Sequence, residues 1–308
     1  MSHVPESSDA GAIAVATHAL HVRYGRQTAL NGIDLAVPES AVYVLIGPNG
    51  AGKSTMMKVL LDVERPHAGR AEVFGMDTVS RGPEVRARLG YVPESHEHAY
   101  AWMTCRRLIE HVAVHYPTWD AAYAEHLIRV FDVGLERKVA TLSKGEGRRL
   151  QFLLALAHRP PLLLLDEPTD GLDPLMRNRT LAQLAEHLAD TPTTVIIATH
   201  HVAEVESLAD HLGVLSAGRL VAQMSRDELR RTVRRYRVEV PQGWEAPPEL
   251  RNPSLRRSPG RREVQWTLIG EESDVTARLS AAGATIRDVR PLALEETALA
   301  LLEREVAP

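Results

Sequence analysis

The chain has 308 residues, with 36 Lys and Arg against 40 Asp and Glu, a formal net charge of −4, and a single cysteine, Cys105. This length accommodates one large domain and one small domain. The balanced charge argues against a general nucleic-acid binder, and one cysteine excludes a disulfide framework or a cysteine-ligated zinc site within one chain. No run of about 18 apolar residues occurs, so no membrane-spanning helix is predicted. We expect Cys105 to be buried and residues 1–14 to be a disordered polar tail, without a secretory signal.

Two short strands are predicted ahead of the first motif. Residues 20–24 end in the aromatic Tyr24, and residues 33–37 alternate apolar and polar side chains, which is typical of a half-exposed antiparallel strand. An aromatic ring in this position suits two roles, a platform that stacks on adenine or an ordinary strand-end aromatic. The motifs that follow favour the adenine platform.

The first motif is GPNGAGKST at residues 47–55, between an apolar run at 41–46 and a helical pattern. Glycines let successive backbone N–H groups face a phosphate, and the helix N-terminus adds partial positive charge. We therefore expect a nucleoside triphosphate here, with Lys53 at the β- and γ-phosphates, Ser54 on Mg²⁺ and Thr55 on the phosphates. The other loop residues expected to contact the nucleotide are Gly47, Asn49, Gly50 and Gly52.

A helical insertion is predicted between about residues 96 and 160. It follows a helix at 83–89, a buried strand at 90–93 and Glu94, and it contains apolar residues at helical spacing over 105–115 and 120–130. Asp120 is the expected N-cap of the second of these helices.

One segment of this insertion could be taken for a metal site. His96 and His98 flank Glu97, but adjacent ligands rarely converge on one ion without partners elsewhere. A solvated loop explains these three residues better.

Two carboxylates end a run of four leucines. Residues 162–165 predict a strand buried on both faces, and Asp166 and Glu167 follow at its carboxyl end, where open α/β sheets bind ligands. We expect Asp166 to hold Mg²⁺ and Glu167 to be the general base for the attacking water. The next buried strand, 194–198, precedes His200, which suits contact with a γ-phosphate or the lytic water.

A second anion site is predicted at LSKGE, residues 142–146, which opens a helix. Ser143 and the backbone of Gly145 lie at its N-terminus, a position that favours negative charge. Farther along the chain, Asp173 precedes Pro174 at the start of a helix that runs to about Ala189.

Taken in order, these motifs resemble those of ABC transporter ATP-binding subunits over residues 15–235. The resemblance implies an α/β P-loop NTPase fold with a mixed sheet core, an antiparallel β subdomain and a helical insertion. By position, Tyr24 matches the A-loop aromatic, residues 47–55 match Walker A, and Glu94 matches the Q-loop position. Residues 142–146 match the signature, and Asp166 and Glu167 match Walker B and the catalytic glutamate. Asp173 matches the D-loop aspartate, and His200 matches the switch histidine.

The resemblance also implies a mechanism and partners. ATP and Mg²⁺ are the expected cofactors, and Glu94 joins Ser54 and Asp166 as a metal ligand. Two subunits, identical or related, are expected to pair head to tail, so that Ser143 and Gly145 close on ATP held by the partner. A separate membrane permease, with this chain on the cytoplasmic face of the plasma membrane, would export a drug, an antibiotic or a peptide, as in ABC-2-type exporters.

Two alternatives belong to other functional classes. A soluble ABC ATPase acting on nucleic acid or the ribosome would need features that are missing, such as a second ATPase domain, a long coiled coil or a cysteine-ligated zinc. A degenerate subunit without hydrolysis conflicts with the intact Lys53, Asp166, Glu167 and His200.

Three residues depart from the family pattern. Glu94 replaces Gln in the Q-loop, and Lys144 and Glu146 replace Gly and Gln in the signature. Glu146 suits a helix N-terminus but repels phosphate. The cations expected to offset it are Lys144, Arg148 and Arg149.

Residues 236–308 are predicted to form a small α+β accessory domain. Its strands are expected at 236–240, 263–268 and 284–289, and its helices at 274–282 and 294–303, with an irregular segment at 241–259. Arginines cluster between 230 and 262. They suit either a surface for lipid headgroups or nucleic acid, or a solvated face, and the interleaved acids favour the solvated face.

Overall fold

The computed structural model describes residues 12–95, 100–241, 244, 250, 254–259 and 263–306. Most of the predicted tail and the His96–Glu97–His98 segment therefore lie outside the described residues. The described strands form three sheets, ordered β2-β1-β4-β5, β10-β9-β3-β8-β7-β6 and β12-β13-β11-β14. Among the described residues, no helix is long and apolar enough to cross a membrane.

The six-stranded sheet is the centre of the molecule. Its strands are β3 (Val42–Ile46), β6 (Leu89–Val92), β7 (Leu162–Asp166), β8 (Thr194–Thr199), β9 (His211–Ser216) and β10 (Arg219–Ser225). All neighbours pair in parallel except β10, which is antiparallel to β9 at the edge. Every residue of β3, β7 and β8 is buried, which is the physical reason that these strands are continuous apolar runs.

The antiparallel sheet precedes and flanks the central one. Its strands are β1 (Ile13–Tyr24), β2 (Gln27–Pro38), β4 (Ala68–Val73) and β5 (Met76–Asp77). Strand β1 begins at Ile13, so Ile13 and Ala14, predicted as part of the tail, are instead paired with β2 or buried. The strand is longer than predicted because it pairs on both sides, with β2 and with β4.

The helices pack on the central sheet and within the predicted insertion. They are α1 (Lys53–Leu60), α2 (Gly82–Arg86), α3 (Cys105–Ala113), α4 (Ala121–Val130), α5 (Lys144–Leu156), α6 (Pro174–Asp190), α7 (Val202–Val205) and α8 (Arg226–Thr232). Asp120 caps α4 by accepting from the Tyr123 backbone N–H at 2.9 Å, as predicted. Cys105 is buried. Helix α2 ends three residues before its predicted end, because Leu89 pairs with Leu162 in the sheet.

The third sheet carries its own core. It contains β11 (Val233–Glu239), β12 (Ser254–Pro259), β13 (Glu263–Ile269) and β14 (Thr285–Pro291), and α9 (Glu272–Ala281) covers it. Tyr236, Trp266 and Leu279 are buried together. Strand β12 lies in the segment predicted to be irregular. Its pairing with β13 holds it extended although its own residues show no strand periodicity.

The last helix, α10 (Leu294–Val306), joins the small sheet to the core of the central sheet. Leu294, Ala298 and Leu301 are buried in the same cluster as residues of β3, β8 and β9. The Leu294 N–H donates to Glu206 Oε1 at 3.1 Å, and Arg235 pairs with Glu296 at 3.0 Å. The C-terminal region is thus docked through α10, and its sheet begins at Val233 rather than at 236.

Several of the clustered arginines have carboxylate partners. Arg231 pairs with Glu271 at 3.0 Å, and Arg234 pairs with Glu272 at 3.2 Å. With the Arg235–Glu296 pair, they neutralise much of this part of the predicted basic strip. These contacts favour a solvated, ion-paired face.

A single truncation in α10 tests this docking. Leu301 is 7% exposed, and Leu299 on the same helix is 48% exposed. We expect Leu301→Ala to lower the free energy of unfolding in urea by roughly 2 to 4 kcal/mol, because it leaves a cavity in the core of the central sheet. Leu299→Ala is the matched control and should change it by less than about 0.5 kcal/mol. Equal effects of the two substitutions would contradict the docked arrangement.

Candidate functional site

A cavity of about 420 Å³ lies where the antiparallel sheet meets the ends of the parallel strands. It is lined by Tyr24, Gln27, Ala29, Asn49, Gly50, Gly52, Lys53, Ser54, Thr55, Glu94 and Glu167. Four separated segments of the chain therefore converge here, as the sequence predicts. Tyr24 is 43% exposed, so part of its ring surface is free for contact.

The phosphate loop needs glycine for its shape. Gly50 and Gly52 have φ values of 81° and 110°, in the left-handed region that favours glycine. A Cβ on Gly52 would also lie 2.6 Å from the Ala29 carbonyl oxygen, which is too close for any side chain. Gly52 caps α1 without a side chain, so the helix presents its N-terminus beside the cavity.

Lys53 is held against its own loop. Its ammonium group is buried and donates to the Gly47 carbonyl at 2.7 Å and to the Pro48 carbonyl at 3.4 Å. Nζ also lies 3.8 Å from Glu167 Oε1. A buried cation at a helix N-terminus gives this cavity the charge that a phosphate group requires.

Asp166 carries an orphaned carboxylate oxygen. The residue is 2% exposed, and Oδ1 is buried with no hydrogen-bond partner among the described residues. Burial, with the charges of Glu94 and Glu167, raises its pKa to about 6, while Ser54 and Lys53 act in the opposite direction. A buried, unsatisfied carboxylate beside a hydroxyl fits a divalent cation.

The donor set suits Mg²⁺ in particular. No group of three or more His, Cys, Asp or Glu side chains within the described ranges is arranged to hold a metal. Ser54, Glu94 and Asp166 supply one hydroxyl and two carboxylates. Proteins commonly bind Mg²⁺ through one or two carboxylates together with substrate phosphates, rather than through a closed cage.

Glu167 is fixed by the end of the neighbouring strand. Its φ is 45°, uncommon for a non-glycine residue and typical of strain at functional sites. Glu167 Oε1 contacts His200 Nδ1 at 2.8 Å, and Oε2 accepts from the Thr199 hydroxyl at 2.9 Å. The His200 N–H also donates to Oε2 at 3.3 Å. The carboxylate thus lies between the Lys53 ammonium and the His200 ring. Sequence reasoning missed the Thr199 contact, although its position just before His200 is a usable signal.

The signature residues form a second cavity of about 290 Å³. It is lined by Ser143, Lys144, Gly145, Glu146, Arg149, Gly171, Leu172, Asp173 and Met176. The two cavities share no lining residue in the part of the chain that is described. One chain therefore places Ser143, Gly145 and Asp173 together but apart from the phosphate loop.

The departures in the signature are accommodated by a capping box. The Ser143 N–H donates to Glu146 Oε2 at 2.8 Å, and the Glu146 N–H donates back to Ser143 Oγ at 3.3 Å. The Ser143 backbone hydrogen bond is the main cause that lowers the pKa of Glu146, and Arg137 adds to it. The carboxylate is thus engaged at its own helix end.

The cation that offsets Glu146 is not one of the three predicted. Arg137 forms the ion pair. Lys144 instead pairs with Asp170 at 2.7 Å, Arg149 donates to the Phe131 carbonyl, and Arg148 donates to the Pro93 and Glu94 carbonyls. Arg137 precedes the signature in a turn, so no local periodicity in the sequence indicates it.

Asp173 acts locally as a helix cap. Its Oδ1 accepts from the backbone N–H groups of Leu175 and Met176, both at 3.0 Å. Asp173 lines the second cavity and not the first.

The profile of the ABC transporter family matches residues 30–170. Over 221 residues the chain is 36% identical to the daunorubicin/doxorubicin resistance ATP-binding protein DrrA of Streptomyces peucetius, covering 70% of this chain and 67% of that protein. The chain belongs to the ABC transporter ATP-binding family. To another member, the bacitracin transport ATP-binding protein BcrA of Bacillus licheniformis, it is 32% identical over 69% of this chain and 70% of that one.

Solved structures agree with this assignment. An ATP-binding subunit of an ABC transporter, 28% identical, matches with a TM-score of 0.65 and covers 70% of this chain and 92% of that chain. The predicted family, P-loop fold and ATPase activity of this ABC protein are confirmed.

The buried carboxylate of Asp166 should make the stability of this ABC ATPase depend on pH. The pKa of Asp166 rises from 3.8 to about 6 on folding, so the folded state binds more protons between these values and loses stability as pH rises through them. Without metal or nucleotide, we expect Asp166→Asn to raise the free energy of unfolding by about 2 to 3 kcal/mol at pH 8. The gain should vanish near pH 4. Urea titrations in EDTA measure it, and equal gains at both pH values would show that ionisation is not the cause.

Proposed function

We propose that two copies of this chain, or this chain and a related ATPase, close head to tail around Mg·ATP and thereby drive a separate membrane permease. One observation carries the proposal. The phosphate loop and the signature line two different cavities of the same chain, and among the described residues neither cavity contains both. A second chain paired head to tail would bring its signature to this phosphate loop and its phosphate loop to this signature.

In the first cavity, the roles follow from position and charge. Tyr24 would stack on adenine, and the loop residues would bind the phosphates through backbone N–H groups. Lys53 would exchange its carbonyl contacts for β- and γ-phosphate oxygens. Ser54, Glu94 and Asp166 would hold Mg²⁺, which when bound neutralises charge on the phosphates.

Hydrolysis would depend on Glu167 and His200. Glu167 is positioned by Thr199 and His200, so its carboxylate can accept a proton from a water aimed at the γ-phosphate. The His200 side chain is partly exposed, and it would hydrogen-bond the γ-phosphate or the same water.

The second cavity would complete the partner's site. The N-terminus of α5 presents Ser143 and the backbone of Gly145, and the capping box holds Glu146 back at its own helix end. Asp173 would face the partner from the neighbouring turn. ATP would then join the two chains, and hydrolysis would release them.

The transport role is drawn from the relatives. DrrA is named for resistance to daunorubicin and doxorubicin, and BcrA for bacitracin transport. We extend this to export of a drug, an antibiotic or a peptide, with the chain bound to the cytoplasmic face of its permease. The ion-paired arginines of the C-terminal region do not favour nucleic acid as the partner.

Removing the general base should trap the dimer. We expect Glu167→Gln to dimerise with Mg-ATP in light scattering, while the wild type stays monomeric at steady state because it hydrolyses the bridging nucleotide. Hydrolysis by the variant should fall at least about a hundredfold. Two monomeric proteins would contradict a homodimeric sandwich.

A mixing arm of this experiment locates the shared sites. Lys53→Ala and Ser143→Arg should each abolish hydrolysis alone. A head-to-tail dimer of the two variants has one site with both defects and one with neither, so mixing should restore part of the activity. Sites contained within single chains would give no recovery.

The transport assignment has its own measurement. We expect the chain to co-purify with an integral membrane permease, and ATP hydrolysis to rise several-fold in the reconstituted complex, because the permease brings the two subunits together. The Glu167→Gln variant is the control, and it should bind without hydrolysing. Hydrolysis indifferent to any membrane partner would contradict a transport role.

A further inference from the structure

A buried arginine connects the signature helix to the metal side of the nucleotide cavity. Arg148 is 0% exposed, and its guanidinium donates to the Pro93 carbonyl and, at 2.7 Å, to the Glu94 carbonyl. One turn later on α5, Gln151 donates to the Ser95 carbonyl at 2.8 Å. One face of the helix thus binds three consecutive carbonyls that follow β6.

This arrangement has a direct geometric consequence. Glu94 follows the end of β6 and lines the nucleotide cavity, whereas Ser143 and Gly145 at the start of the same helix line the other cavity. Arg148 lies between them on α5. Displacement of α5 would therefore move the Glu94 backbone, and with it the Glu94 carboxylate.

The positive charge of Arg148 also acts on the carboxylates near the nucleotide cavity. The carboxylates that act on the Arg148 charge are Asp170, Asp166, Glu94 and Glu167. A planar guanidinium is suited to this position, because its rigid fork can hold two acceptors at once and it keeps its charge when buried. Its Nε atom has no hydrogen-bond partner among the described residues, so the two carbonyls are its principal contacts.

We propose that Arg148 is a positioning residue that sets Glu94 for cation binding and links this setting to the signature helix. The inference rests on the proposed Mg·ATP function of the first cavity and adds to it a residue that contacts neither nucleotide nor metal. A purely structural arginine would contribute to stability without affecting the cation specifically.

The test uses Mn²⁺ as the probe, followed by EPR, with the full-length protein and the non-hydrolysable nucleotide AMP-PNP. We expect Arg148→Gln to raise the Mn²⁺ concentration at half-saturation about tenfold, the usual effect of losing a residue that orients a metal ligand. AMP-PNP affinity in EDTA should change less than about twofold, because the phosphate loop is untouched. Arg148→Lys, which retains the charge and one contact, should recover part of the loss.

Two comparisons make the result decisive. Arg86→Gln is the matched control: Arg86 also donates to a backbone carbonyl, that of Leu61, and pairs with Asp62 away from both cavities. It should leave Mn²⁺ binding unchanged. A Glu94→Ala background removes the carboxylate that Arg148 is proposed to position and leaves that of Asp166, so Arg148→Gln should have little further effect on Mn²⁺ binding.

Different outcomes separate this inference from the proposed function. Wild-type Mn²⁺ binding by Arg148→Gln, or an equal loss in the Glu94→Ala background, would overturn the positioning role. A wild-type protein that binds AMP-PNP but takes up no Mn²⁺ in its presence would instead overturn the proposed metal site. If Arg148→Gln fails to fold, Arg148→Lys alone carries the same cycle with Glu94→Ala.

Discussion

Burial of the central parallel strands is the constraint on which the site depends. Strands β3, β7 and β8 have no exposed residue, and their pairing in parallel brings their carboxyl ends to one edge. The phosphate loop, Glu167 and His200 follow these ends, and Asp166 and Thr199 are the last residues of β7 and β8. Burial of the apolar strands thus sets the positions of these polar groups. The groups lie close together in space although they are far apart in the sequence.

The charged groups gathered at this edge of the sheet lower the stability of the protein without ligand. Burial raises the pKa of Asp166, and Lys53 is drawn to backbone carbonyls and to Glu167. Such a site is poorly satisfied without its ligand, so a nucleotide that binds only the folded state adds stability. At the second cavity the opposite holds, because the capping box, Arg137 and Asp170 already satisfy the substituted signature residues.

Helices α5 and α10 connect the signature and the C-terminal region to the central sheet. Helix α5 joins the signature to the carbonyls after β6 through Arg148, and α10 inserts Leu294 and Leu301 from the C-terminal region into the ATPase core. The C-terminal sheet is therefore fixed to the ATPase domain by buried apolar contact. Motion of the core would carry it along.

The sequence by itself determined the family, the strand–loop–helix of residues 41–61, the carboxylates after the leucine run and where most strands lie along the chain. These follow from local spacing and from continuous apolar runs, which are legible along one chain. Only the tertiary structure decided that Arg137 offsets Glu146, that Arg148 binds the carbonyls after β6, that β12 is a strand and that α10 belongs to the core. Arg148 and α10 contact residues that are far away in the sequence, and Arg137 and β12 lie in segments without periodicity. Each contact exists only because folding brings the two groups together. A pattern within one segment carries no information on which distant group will neutralise or bury it.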